Sequence, residues 1–146
     1  MQRRGSMPDR LFELAAQERI KIEYWEFAPP LLAVYTCLEG MPPVIGLDVS
    51  LSQNPRSLRC ILAEELGHHF TTAGYATPRT YFHYANRLLL SKSEDQALRW
   101  AANYLIPATA LRHAIDKGIQ KEELADHFNV TKQLLRFRLK LLKQEG

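Results

Sequence analysis

Cysteine is scarce in this chain: Cys37 and Cys60 are the only two in 146 residues. Their spacing makes neither a metal-ligand pair nor a disulfide framework. A disulfide-stapled scaffold and a cysteine-rich zinc module are therefore excluded. The two read as small buried apolar residues in a reducing compartment. Long hydrophobic runs are also missing, and none reaches the length of a membrane span. The start, Met1-Gln2-Arg3-Arg4-Gly5-Ser6, carries charge with no apolar region behind it. That is not a signal-peptide pattern, and the expectation is a cytoplasmic protein. An excess of one charge is lacking too. The net charge of +3 neither requires nor excludes nucleic acid.

What is present suits a soluble globular protein, with 46% apolar and 24% charged residues. The length suggests one domain, or one with a small appendage. The chain is organised around Ile61-Leu62-Ala63-Glu64-Glu65-Leu66-Gly67-His68-His69-Phe70. On a helix, residues four apart share a face, so Glu64 sits over His68 and Glu65 over His69. Leu58, Ile61, Leu62, Leu66 and Phe70 make a broad apolar face from which Glu65 and His69 project. Buried charge is costly unless it is paired or bound to a metal. The spacing is that of the zincin helix H-E-x-x-H, in which two His bind zinc and the Glu is the general base. Here the first position is Glu64, so the pattern is E-E-x-x-H, and alone it recurs by chance. Gly67 costs helix stability of about 1 kcal/mol relative to Ala, which suggests close approach of another backbone.

Before this stretch, residues 8–19 read as a helix with Asp9 as N-cap. Ile20–Trp25, Leu31–Leu38 and Val44–Val49 read as strands, the last two joined as a hairpin. The central helix is expected from Pro55, capped by Asn54, to Thr72, with Gly74 ending it. Residues 75–90, rich in Tyr and Phe, suggest a loop wrapping the site. Within it His83 is an extra ligand, a substrate contact or, more ordinarily, a partly exposed histidine. Residues 93–107 form another helix, with Ser93 and Gln96 as a capping box. Glu94 lies at the N-terminal end of its buried face. Ala97 and Ala101 are small enough to let this helix lie on Gly67, which would bring Glu94 towards Glu64 and His68. Glu94 can equally be a first-turn acid favoured by the helix dipole. Three helices follow: Ala108–Lys117, Gln120–Phe128 and Thr131–Lys143. The last two read as a helix-turn-helix. Lys132, Arg136, Arg138, Lys140 and Lys143 make the last helix basic. A basic stripe is necessary for DNA binding but not sufficient, so a packing or docking element is expected instead.

The order of hairpin, Leu62-Ala63-Glu64-Glu65-Leu66-Gly67-His68-His69 and Glu94-x-x-Ala97-x-x-Trp100-Ala101-x-x-Tyr104-Leu105-Ile106-Pro107 resembles the ImmA/IrrE family of metallopeptidases. The resemblance covers roughly residues 10–140. It implies an α+β fold of the zincin-like minimal peptidase type. A small antiparallel sheet of about three strands would pack on a helical bundle. A peptidase domain at 1–107 would carry a helix-turn-helix-like extension at 108–146. It also implies a cytoplasmic metal-dependent endopeptidase that cleaves or inactivates a helix-turn-helix repressor, inducing a prophage, mobile element or stress regulon. Residue by residue, the metal ligands fall on Glu64, His68 and Glu94, and the catalytic carboxylate on Glu65. One divalent metal is implied, zinc first, with manganese or iron suited to an oxygen-rich set. No membrane partner is expected, and the oligomeric state is left open. Two alternatives stay open, the first of them favoured by Glu64 in place of the first His. One is a metal-free or weakly active member that regulates by binding the repressor. The other is a small DNA-binding regulator using the C-terminal helices.

Overall fold

The computed structural model describes residues 7–72 and 78–145. Its order is α1 (Met7–Gln17), β1 (Lys21–Trp25), β2 (Leu31–Cys37), β3 (Val44–Asp48), α2 (Pro55–Thr72), β4 (Arg79–Tyr84), α3 (Lys92–Leu105), α4 (Ala108–Asp116), α5 (Lys121–Phe128) and α6 (Lys132–Glu145). A 3-10 turn, Val49–Gln53, links β3 to α2. The architecture is α+β, as the sequence implied, but two expectations are corrected. The sheet has four strands rather than about three, in the order β1-β3-β2-β4. It is mixed rather than antiparallel, because β3 folds back from β2 to lie parallel to β1. The fourth strand lies in the stretch expected to be a loop. Arg79-Thr80-Tyr81-Phe82-His83-Tyr84 alternates between more and less buried positions, the period-2 signature of a strand. Its aromatic residues had obscured that pattern.

Helix ends follow local chemistry. Asp9 lies inside α1 rather than capping it. Arg19 ends that helix in a left-handed conformation, with Ile20 N–H bonding to the Ala15 carbonyl. Asn54 opens α2: its side chain accepts from Ser57 N–H at 3.5 Å. Gly74 and Tyr75 lie outside the described residues. Ser91, not Ser93, caps α3, and Glu94, not Gln96, completes the capping box. Gly118 at φ +90° and Asn129 at φ +56° end α4 and α5. Thr131 Oγ1 accepts from Leu134 N–H at 3.2 Å to start α6.

One apolar core runs through the molecule, from Leu11 and Tyr35 through Leu62, Leu66 and Ile106 to Val130 and Leu141. The helix α2 lies at its centre and packs on α1, β2 and α3. Gly67 is where α2 and α3 come closest. A Cβ there would collide with the Ala97 carbonyl oxygen, which accounts for a helix-weakening residue mid-helix. Two arginines are buried with the core. Arg59 on α2 donates to the carbonyls of Phe128 and Asn129, holding the α5–α6 turn on α2. Arg138 on α6 donates from Nε to the Ile106 carbonyl at 2.7 Å. Arg138 is thus withdrawn from the basic stripe expected on the last helix.

Candidate functional site: a carboxylate cluster closed by an arginine

Glu64, Glu65 and His68 are nearly inaccessible to solvent, at 3%, 1% and 2% exposure. They lie on the side of α2 that meets β4 and α3. The alternation of β4 turns Tyr81 and His83 towards them. Tyr81 stacks on His68 with ring centroids 4.1 Å apart and planes 11° from parallel. His83 Nδ1 lies 3.6 Å from Glu64 Oε1 and 3.5 Å from Glu65 Oε2. Those contacts are electrostatic rather than well-formed hydrogen bonds. His83, expected to be partly exposed, is buried at 8% exposure and belongs to the site.

Past β4 the chain turns, and Arg87 comes back over α2. Its guanidinium grips Glu64 with both terminal nitrogens. Nη1 donates to Oε2 at 2.6 Å and Nη2 to Oε1 at 3.0 Å. Nη1 also lies 3.5 Å from Glu94 Oε2. Glu94 is held in turn by its capping box, its Oε1 accepting from Ser91 N–H at 2.9 Å. The close approach at Gly67 does carry Glu94 to this end of α2, but Arg87 stands between it and Glu64. Sequence reasoning missed Arg87. A signal existed: two acids on a buried helix face need a compensating cation, and Arg87 lies between the two helices that supply the acids.

The electrostatics follow from this arrangement. Burial pushes the Glu65 carboxyl up to about 7, opposed by His83 and reinforced by the Glu64 charge. Neither Glu65 oxygen has a hydrogen-bond partner among the described residues. Burial drives His68 down to about 4, against the attraction of Glu64 and Glu94. Burial alone would raise Glu94, but the Ser91 amide and the Arg87 charge outweigh it and hold the carboxyl low. Burial would lower Arg87, and its bonds to Glu64 reverse that. The side chains thus form a cluster in which Arg87 pairs with Glu64 and lies beside Glu94, with a neutral His68 and a proton-binding Glu65 next to it.

His69 belongs to a different network. Its Nδ1 pairs with the Tyr35 hydroxyl at 2.9 Å and its Nε2 with Glu18 Oε1 at 2.9 Å. Arg79 donates to the same hydroxyl at 3.2 Å. These contacts tie α2 to α1 and to the sheet, so His69 holds the scaffold together.

A metal would need Glu64, His68 and Glu94 to converge on one open position. Both oxygens of Glu64 are instead taken by Arg87. Among the described residues no group of three His, Cys, Asp or Glu side chains is disposed to hold a metal ion. The residues do not fit the ion in this arrangement. Glu64, His83 and Arg87 instead form one wall of a cleft of about 570 Å³. Leu90 and Leu98 line it on the α3 side, and Thr131, Leu134 and Phe137 on the side of α6.

In comparison with known proteins, the model of a peptidase family, described as the IrrE N-terminal-like domain of Peptidase_M78, matches residues 29–140. No curated protein and no solved structure matches the chain.

Proposed function

Because the chain belongs to the IrrE N-terminal-like peptidase family, we propose that it is a regulator built on a metallopeptidase scaffold, inactivating a helix-turn-helix repressor by holding it rather than by cutting it. One observation carries this reading: the bidentate grip of Arg87 on Glu64. Paired guanidinium and carboxylate groups are among the strongest charge-assisted contacts in proteins. Withdrawing the arginine would leave Glu64 buried and uncompensated. The cation needed at this end of α2 is therefore supplied by the chain itself. The cleft beside it is left as a binding surface. We place the protein in the cytoplasm, where a repressor works; among the described residues no helix is long and apolar enough to cross a membrane.

A second reading, metal-dependent cleavage of the repressor, is favoured by Glu65. A carboxyl without hydrogen-bond partners, lifted to about 7, titrates near working pH, as a general base should. Hydrolysis requires a different arrangement in which Arg87 has left Glu64. Direct DNA binding has less support. Leu134 and Phe137 of α6 face the cleft with Thr131 just before them, and Arg138 is buried, which takes several positions of a recognition helix out of reach of a groove.

The test is incubation of the purified chain with the helix-turn-helix repressor encoded beside its gene. Elemental analysis follows exposure to zinc and to manganese. The expected result is a repressor of unchanged intact mass that no longer occupies its operator, and no stoichiometric metal. Cleavage that disappears in Glu65→Gln would establish the peptidase reading instead.

A further inference from the structure

The C-terminal helices carry a second surface that the carboxylate cluster does not use. Between α4, α5 and α6 runs a groove of about 840 Å³. Its floor is Ile115, Ile119, Leu124, Leu139 and Leu142. Ile115 is 43% exposed, which is unusual for a large aliphatic side chain unless something covers it. Its rim is Arg112, Lys121, Arg136, Lys140 and Lys143, and among the described residues no acid lines the groove. Among the described residues none of these five cations is in an ion pair. Elsewhere Arg56, Arg87, Arg99 and Arg138 each have a carboxylate within 4 Å. The chain carries 16 Asp and Glu against 19 Lys and Arg, and none of the described residues that line this groove is one of those acids.

We infer that this groove docks an acidic amphipathic helix of a partner protein. The inference rests on the regulatory reading above and names the surface by which the partner is held. An apolar floor flanked on both sides by unpaired cations is complementary to a helix with an apolar stripe at i, i+3, i+4 and i+7 and carboxylates on either side of it. The floor provides the affinity, because covering Ile115 and Leu139 removes apolar surface from water. The rim provides orientation and speed of encounter. A nucleic acid would satisfy the rim but leave the floor uncovered. A second copy of this chain would have to bring an exposed acidic helix, and the last helix, α6, is basic along its exposed side.

The test uses the full chain and a synthetic labelled peptide of about 16 residues with Leu at the stripe positions and Glu flanking them. A control peptide carries Lys in place of every Glu. Binding is read by fluorescence anisotropy. The acidic peptide is expected to bind and the basic one not. The double variant Lys140→Glu/Lys143→Glu, at exposed positions, is expected to weaken binding by roughly tenfold or more. Ile115→Ser is expected to weaken it at unchanged salt dependence. Equal binding to wild type and both variants, or no binding, overturns the inference. So does binding of duplex DNA that the same lysine changes abolish, or self-association that Ile115→Ser abolishes. Failure of the regulatory reading is distinguishable, since it appears as bound metal or a cleaved repressor whatever the peptide does.

Discussion

The end of α2 and the groove at the C-terminus both concentrate charge, and they treat it in opposite ways. At α2 one largely buried arginine is paired, with Glu64 on both its terminal nitrogens and Glu94 beside it. In the groove five cations stand at the surface without a carboxylate among the lining residues. The first arrangement is closed on itself and contributes to the fold. The second leaves its charges available to something else. Burial makes the difference. A buried ion must have its counter-ion inside the protein, whereas an exposed one is served by water and gains little from pairing.

The largest expected effect breaks the closed half of this comparison. Arg87→Ala leaves Glu64 buried without its cation and should cost about 3–5 kcal/mol in urea unfolding. Adding Glu64→Ala should restore a good part of that loss, because the stranded charge is gone. If the double variant is no more stable than the single one, Arg87 contributes through packing rather than charge. Removing Arg87 also frees the carboxylates, so calorimetric titration with zinc or manganese should detect binding in Arg87→Ala that wild type lacks.

Gly67→Ala acts on the same cluster from behind. The added methyl meets the Ala97 carbonyl, and the two helices must separate, at a cost of about 1–3 kcal/mol. Glu94 should move away from Arg87 with α3, and a loss of stability that survives in a Glu94→Ala background would show that packing dominates.

Two titrations at the closed site oppose one another. Glu65 is raised from an ordinary 4.5 to about 7. Its contribution to stability is therefore full below 4.5 and is lost as pH rises through 7. His68 is lowered from 6.5 to about 4, so its contribution is present above 6.5 and is lost as pH falls through 4. Between these limits the two slopes work against each other. Glu65→Gln removes one of them. The variant should gain on wild type as pH rises from 5 to 8, measured by thermal unfolding across that range. A gain that does not change with pH would show that Glu65 is not the titrating group.

The smallest effect belongs to the open half. Lys140→Ala and Lys143→Ala should each change stability by no more than about 0.5 kcal/mol, since among the described residues neither is in an ion pair. A larger loss would mean that the groove's charges serve the fold after all, and the contrast between the two regions would fail.

Much of the framework was legible in order along the chain. The limits of α2, from Asn54-Pro55 to Thr72, and the close approach at Gly67 follow from capping, proline placement and the cost of a mid-helix glycine. So do the stops at Gly118 and Asn129. The capping box of α3 was displaced by two residues, since Ser91 and Ser93 both offer a hydroxyl three positions before a Glu or Gln. Local rules could not choose between them. The strand β4 was hidden because its alternation is carried by aromatic rings on both faces, and polarity does not distinguish the two sides.

By itself the sequence determined which residues α2 presents on one face: Glu64, Glu65 and His68, at helical spacing. That spacing is a property of the backbone and needs no partner. What stands opposite them was decided only in three dimensions. Arg87 lies 23 residues along the chain from Glu64, and its position depends on the register of β4 and the path of the turn after it. Likewise the sequence places Arg112, Lys121, Arg136, Lys140 and Lys143 in the last third of the chain, but the packing of α6 on α4 and α5 decides that these five ring an apolar floor while Arg138 goes inside. Local periodicity is fixed by covalent geometry. The pairing of buried charge is fixed by which segments meet, because a low-dielectric interior accepts an ion only beside its counter-ion.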